Sequence, residues 1–217
     1  MPRSEPFPER GIFLLQYEYM KLVIGIIGAP LAGKETCANL LEKLLVEDGY
    51  SVSRHTFSEI LKETLDLWDI PHGRDNEQKM AIIMNAETGF GDGALSRAMR
   101  RRLMEDTADV TILDGVRWLG DERMIRSLND DGIKTVMVYI SADPKVRYAR
   151  LVQRNRAGEA ATTWEKFMQQ EQMKNEVDIP DIGSRAEIAL ENNDDNVEHF
   201  ERDINRVYES LFDEKGR

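Results

Sequence analysis

Residues 28–36 read Gly28-Ala29-Pro30-Leu31-Ala32-Gly33-Lys34-Glu35-Thr36, a G-x-x-x-x-G-K spacing between a continuous apolar run and a segment that opens with small residues. The glycines let the backbone turn sharply, so that successive N–H groups and a helix N-terminus point at phosphate oxygens. Lys34 would then reach the β- and γ-phosphates of a bound nucleotide as a mobile point charge. Glu35 occupies the place where the strict pattern puts a magnesium-binding Ser or Thr, and the hydroxyl arrives one residue later at Thr36. A hard, slowly dehydrating Mg2+ tolerates being held largely through water. The plainer alternatives are a glycine-rich strand-to-helix turn that binds nothing and a regulatory nucleotide switch; the missing Ser/Thr counts against the switch.

Other residues suit the same chemistry. Asp114 follows Val110-Thr111-Ile112-Leu113 and so stands at the carboxyl end of a buried strand, where open α/β sheets bind ligands. It can hold magnesium through water, orient an acceptor oxygen, or merely cap the next turn. Arg117 offers a planar fork to an acceptor phosphate, or a salt bridge to Asp121 or Glu122. Arg147, Arg150, Arg154 and Arg156 recur at near-helical spacing; Arg154 and Arg156 are taken as catalytic. Arg74 and Arg97 are candidates for an acceptor phosphate, whereas Arg100-Arg101-Arg102 reads as a solvated helix face. His55, His72 and His199 show no metal-ligand spacing.

The elements that must position these residues follow from the hydrophobic pattern. Strands are expected at 22–27, 51–56, 109–114, 134–140 and 187–191. Helices are expected at 34–48, within 58–105, and at 120–130, 144–154 and 195–212. Alternation of this kind specifies an α/β fold with a five-stranded parallel sheet and helices on both faces. Residues 155–186 interrupt it. With Gly158 and Gly183 near the ends and Trp164, Phe167 and Met168 at core spacing, the segment reads either as a helical lid that excludes water or as a fixed surface helix. Residues 1–19, with three prolines, read as an extension ahead of a domain spanning 20–217.

The 217 residues carry a formal charge of -11, which opposes extended nucleic-acid binding, although Arg97 to Arg102 offer a local exception. Cys37 is the sole cysteine, so no internal disulfide forms, and a reducing, cytoplasmic setting is expected. No apolar run approaches the roughly 18 residues of a membrane span.

With these segments in order, residues 21–212 resemble P-loop kinases of the nucleoside monophosphate kinase group. The likeness extends to deoxynucleoside monophosphate kinases of phage type, dephospho-CoA kinases and an archaeal set grouped with nucleotide kinases. Phe57-Ser58-Glu59-Ile60-Leu61-Lys62-Glu63 is similar to the stretch that begins their acceptor site. Asp114-Gly115-Val116-Arg117 with Glu122 resembles their D-x-R segment, Arg150-Leu151-x-x-Arg154 the arginine pair before the lid, and Asn192-Asn193-Asp194 the base-binding loop. The resemblance implies a three-layer P-loop NTPase fold using ATP and Mg2+, with residues 28–36 and Asn193 on the nucleotide. Phe57, Lys62, Arg74 and Arg97, in a 57–105 segment, and Arg117 beyond it would serve the acceptor. The implied reaction passes the γ-phosphoryl to a small phosphorylated acceptor, a (deoxy)nucleoside monophosphate first and dephospho-CoA second. A kinase of a polynucleotide base or end, a non-catalytic regulator, and a homodimeric assembly stay open. Asn85 departs from the pattern, since relatives carry an arginine before an acid and a glycine there.

Overall fold

The computed structural model describes residues 21–85, 93–154, 162–172, 177–194 and 196–212. Residues 1–19, Arg156 and most of the turn at 89–93 lie outside them.

Strand β1 (Leu22–Ile27, LVIGII) is buried along its whole length, as a central parallel strand covered on both faces must be. It pairs with β3 (Val110–Val116) on one side and β4 (Lys134–Ser141) on the other. Strands β2 (Val52–Thr56) and β5 (Ile188–Glu191) form the edges, in the order β2-β3-β1-β4-β5 with every pairing parallel. The five strands fall where the alternation of apolar runs and amphipathic segments places them.

The period-2 alternation of β1 splits the core into two layers. Leu22, Ile24 and Ile26 face α1 (Lys34–Glu47) and α9 (Val197–Phe212), whose Cys37, Leu41, Ile204 and Val207 complete one cluster. Val23 and Ile27 face the other cluster, formed by α2 (Phe57–Leu67), α3 (Arg74–Asn85), α4 (Ala94–Glu105), α5 (Leu119–Ser127) and α8 (Ile179–Gly183). Full burial of each such aliphatic side chain contributes roughly 1.5–3 kcal/mol, so the sheet is a rigid platform and its carboxyl edge a fixed line.

Helix α6 (Pro144–Arg154) carries α7 (Trp164–Glu171) against its flank. Arg147, 4% exposed, donates to Glu171 from both terminal nitrogens and to the Ala142 carbonyl from Nε, and its guanidinium lies over the Phe167 ring. Tyr148, Trp164 and Phe167 pack ring against ring beside it. The segment 155–186, expected as a lid, is described in part. Residues 155–161 and 173–176 lie outside the described residues, α7 is tied to α6, and α8 is part of the core. Ile179 and Ile182 are buried, and Gly183 sits so close to Tyr139 that a Cβ would come within 2.6 Å of the ring. Residues 179–183 thus pack into the core beside β1 and β4.

Candidate active site

Strand β1 ends at Ile27, and the chain turns back through residues 28–33 into α1. Two glycines are demanded by close approach. A Cβ on Gly28 would lie 2.5 Å from the Ile140 carbonyl oxygen, and one on Gly33 (φ 110) would overlap Asn192 Nδ2. Leu31, without glycine's freedom, is held at φ 66, a left-handed conformation that costs roughly 1–2 kcal/mol. Neighbours hold it there. Arg150 donates to the Leu31 carbonyl at 3.2 Å and to the Asn192 carbonyl and Oδ1 at 3.0 and 3.2 Å, while Asn192 Nδ2 donates to the Ala32 carbonyl at 2.8 Å. Lys34 Nζ folds back to the Ala29 carbonyl at 3.2 Å, across the loop that its charge would serve. Glu35 and Thr36 are exposed on the first turn of α1.

Asp114 lies in register with Ile26 of β1 and with Thr56, the last residue of β2. The register shifts between Ile26 and Ile27 as β3 bulges through Gly115, which aims this end of the strand at the carboxyl edge. Asp114 Oδ1 is buried and, among the described residues, has no hydrogen-bond partner. An orphaned carboxylate oxygen is expensive to bury unless a cation, a donor or a water completes it, so the residue fits a site for a hard cation arriving with a nucleotide. Among the described residues no group of three or more His, Cys, Asp or Glu would hold a metal on its own. Cys37, just beyond the loop, is fully buried, and burial together with the Asp114 charge pushes its thiol up to about 12. It is an inert core residue.

No family model matches the chain. Its relatives include a UPF0200 protein of Hyperthermus butylicus, 24% identical over 191 residues that span 88% of this chain and 95% of the relative. A UPF0200 protein of Saccharolobus islandicus is 27% identical over 185 residues, spanning 85% and 91%. Among solved structures, shikimate kinase from Bacteroides thetaiotaomicron superposes with a TM-score of 0.58 at 17% identity, covering 88% of this chain and 98% of that one. An uncharacterized protein from Eubacterium ventriosum gives 0.52 at 15%, covering 88% and 99%. The fold is that of a P-loop kinase.

Around this P-loop the expected residues take different places. Phe57, 5% exposed, packs into the core as the first residue of α2, and Lys62 is half-buried farther along that helix. Arg74 opens α3, and its side chain lies outside the described residues. Arg97 is exposed on the first turn of α4, and Arg117 is half-buried in the turn after β3. Glu122 is 5% exposed and bonded to Arg185 and Arg126. Arg154 is exposed at the end of α6. Asn193 is exposed, its Oδ1 accepting from the Asp143 N–H at 2.6 Å and its amide donating to Glu191. The stretch Arg100 to Arg102 is neutralised within the chain by Asp131, Glu105, Glu63 and Glu59.

Three residues matter more to the geometry than their sequence context suggests. Arg150 and Asn192 brace the P-loop directly, and Asp121, 1% exposed, joins the turn after β3 to α4. Arg150 belongs to the arginine series and shares a helix face with Arg154; position along α6 separates the two, Arg150 reaching the loop and Arg154 standing exposed at the helix end. Ser53, His55 and Asp106 meet on β2 and the approach to β3, but His55 and Ser53 both bond the same Asp106 oxygen. The histidine therefore does not activate the serine.

Proposed function

We propose that the chain is an ATP-dependent phosphotransferase that moves the γ-phosphoryl group to a small phosphorylated acceptor, a (deoxy)nucleoside monophosphate first and dephospho-CoA second. The observation that carries this reading is the pairing of a braced P-loop with a buried, partnerless Asp114 oxygen one strand away. Phosphoryl transfer asks little covalent chemistry of a protein, since positioning and charge neutralisation lower most of the barrier. In this reading the backbone N–H groups of 28–34 cradle the phosphates, and Lys34 exchanges the Ala29 carbonyl for phosphate oxygens. Asp114 orients the acceptor oxygen or holds Mg2+ through water, and Arg97 and Arg117 receive the acceptor phosphate. The ion, when bound, neutralises charge on the transferring phosphates. Arg154 and Arg156, leading from α6 toward the segment after it, are assigned to the transferring group, and Asn193 to the base. Ion pairing of Arg100 to Arg102 removes the positive groove that a polynucleotide acceptor would need.

The test is acceptor-dependent ADP formation with ATP and Mg2+ across nucleoside monophosphates, dephospho-CoA and shikimate, the last because a structural neighbour is a shikimate kinase. Turnover is expected with a phosphorylated acceptor. Lys34→Ala is expected to remove it at least 10³-fold while leaving the unfolding midpoint within about 2 °C, because the side chain lies over the loop, where Nζ bonds the Ala29 carbonyl, and outside the core. No acceptor-dependent ADP across the panel refutes the reading.

A further inference from the structure

Asp121 occupies an unusual position for a charged group. It is the third residue of α5, 1% exposed, and its carboxylate reaches past the helix to α4 and to the turn after β3. Oδ1 accepts from Ser96 Oγ at 2.7 Å; Ser96 is 4% exposed and lies in the first turn of α4. Oδ2 accepts from the backbone N–H groups of Arg117 and Trp118 at 3.2 and 3.1 Å. The helix starts also touch: a Cβ on Gly120 would meet Ser96 Oγ at 3.5 Å and the Gly93 Cα at 3.8 Å. One carboxylate thus sits where two helix N-termini converge, a place that favours an anion, and its ligands are residues immediately beside Arg97 and Arg117.

Such a group is a poor device for stability alone, since removing a carboxylate from water is costly and an apolar residue of similar size packs as well. Its attested use is registry. We propose that Asp121 is a positioning residue for the acceptor side: a single buried carboxylate that locks the first turn of α4 to the turn after β3 and so fixes Arg97 and Arg117 relative to each other. The inference rests on the phosphotransferase reading for what the two arginines bind, but the lock itself does not.

Protonation would loosen the lock, because a neutral carboxyl surrenders part of its accepting capacity toward Ser96, Arg117 and Trp118. Burial holds its proton to about pH 6, against the opposing pull of Ser96, the Arg117 and Trp118 N–H groups and the Arg117 charge. Of the other charged groups nearby, Arg97 and Arg123 are exposed on α4 and α5, and Glu122 is engaged by Arg185 and Arg126.

The experiment has two arms. In the first, acceptor and ATP KM are measured from pH 5 to 8 for wild type, Asp121→Asn and Ser96→Ala. Asp121→Asn is expected to raise acceptor KM about tenfold at pH 7.5 with ATP KM changed less than twofold. The wild-type acceptor KM should climb below about pH 6, the Asp121→Asn profile should be flat, and the Ser96→Ala midpoint should move up, because the carboxylate has lost a donor. In the second arm, needing no turnover, Trp118 fluorescence is titrated in a Trp68→Phe, Trp164→Phe background. A transition near pH 6 should appear in the parent, vanish with Asp121→Asn and move up with Ser96→Ala. Absence of the fluorescence transition overturns the lock, as does an equal rise of both KM values. A normal titration in a protein with no acceptor turnover upholds the lock and refutes the phosphotransferase reading instead.

Discussion

Asn192→Ala tests whether the P-loop is held by its neighbours or shapes itself. The side chain, 8% exposed, donates to the Ala32 carbonyl and accepts from Arg150, which itself holds Leu31 in its left-handed conformation. Truncation leaves the carbonyl of fully buried Ala32 without its donor, at roughly 1–3 kcal/mol, and weakens one of the bonds of Arg150, at the low end because two carbonyls still receive it. The sum is about 2–3 kcal/mol, which for a chain of this size lowers the unfolding midpoint by roughly 5–10 °C. A partner mutation sharpens the test. In wild type, Gly33→Ala drives a methyl into Asn192 Nδ2 as well as straining a φ of 110, with Phe200 3.2 Å away on the other side. In the Asn192→Ala background the first clash is gone and only the strain and the Phe200 contact remain. Gly33→Ala should therefore cost at least about 1 kcal/mol less there, a coupling far above the roughly 0.3–0.5 kcal/mol scatter of independent sites. Urea melts of the four proteins, with ATP affinity alongside, provide the cycle. Additivity, or an Asn192→Ala midpoint equal to wild type, would refute the brace.

Two further outcomes follow from buried charges. Glu171→Ala strands the Arg147 guanidinium on one carbonyl and the Phe167 face; because Glu171 is 20% exposed the penalty belongs near the low end of the 3–5 kcal/mol typical of broken buried pairs, and amide exchange across 164–171 should accelerate at least tenfold, whereas unchanged exchange would mean that α7 does not depend on the pair. For Asp121, raised from 3.8 to about 6 by burial, the native state binds a proton that the unfolded state has released across that window, so its contribution to stability is present below pH 3.8 and lost as pH rises through about 6; urea melts should show Asp121→Asn gaining about 2 kcal/mol on wild type between pH 4.5 and 7.5, and a pH-independent gap would refute it.

The sheet and the loop were legible because they rest on local pattern. LVIGII is apolar without interruption, the G-x-x-x-x-G-K spacing is short-range, and helices stop before Gly49 and Gly132. Residues whose role depends on distant partners were not. Arg147 is buried because Glu171 lies 24 positions away, and Arg150 braces Leu31 across 119; helical spacing groups these arginines on one face but cannot say what the face meets. Asn192 and Asn193 differ by one place at the end of β5, and that step turns one side chain to the P-loop and the other to the Asp143 N–H. Within 155–186, the signal for a core element was present in Ile179 and Ile182 at i, i+3 around Pro180, but it is shorter than the amphipathic stretch before it, and its apolar contacts are made with β1 and β4.

Three costly features lie toward one end of the sheet, in addition to the left-handed Asp69 (φ 54) and a buried Asn85 Nδ2 that has no partner among the described residues. Leu31 is held left-handed, Asp114 keeps a buried oxygen without a partner, and Asp121 keeps a charge that burial disfavours. Elsewhere buried charge is matched: Glu122 by two arginines, and Arg147 by Glu171. A chain of marginal stability retains unmatched groups chiefly where matching arrives with a ligand. Leu31 and Asp114 lie at the carboxyl ends of β1 and β3, where a nucleotide and its ion would complete them. Asp121 lies one turn beyond Asp114, bonded to the backbone that carries Arg117. The same physical cost thus separates the two halves of the site: the loop and Asp114 are completed by the donor nucleotide, whereas Asp121 already has its partners and needs only to stay charged for the acceptor side to hold its shape.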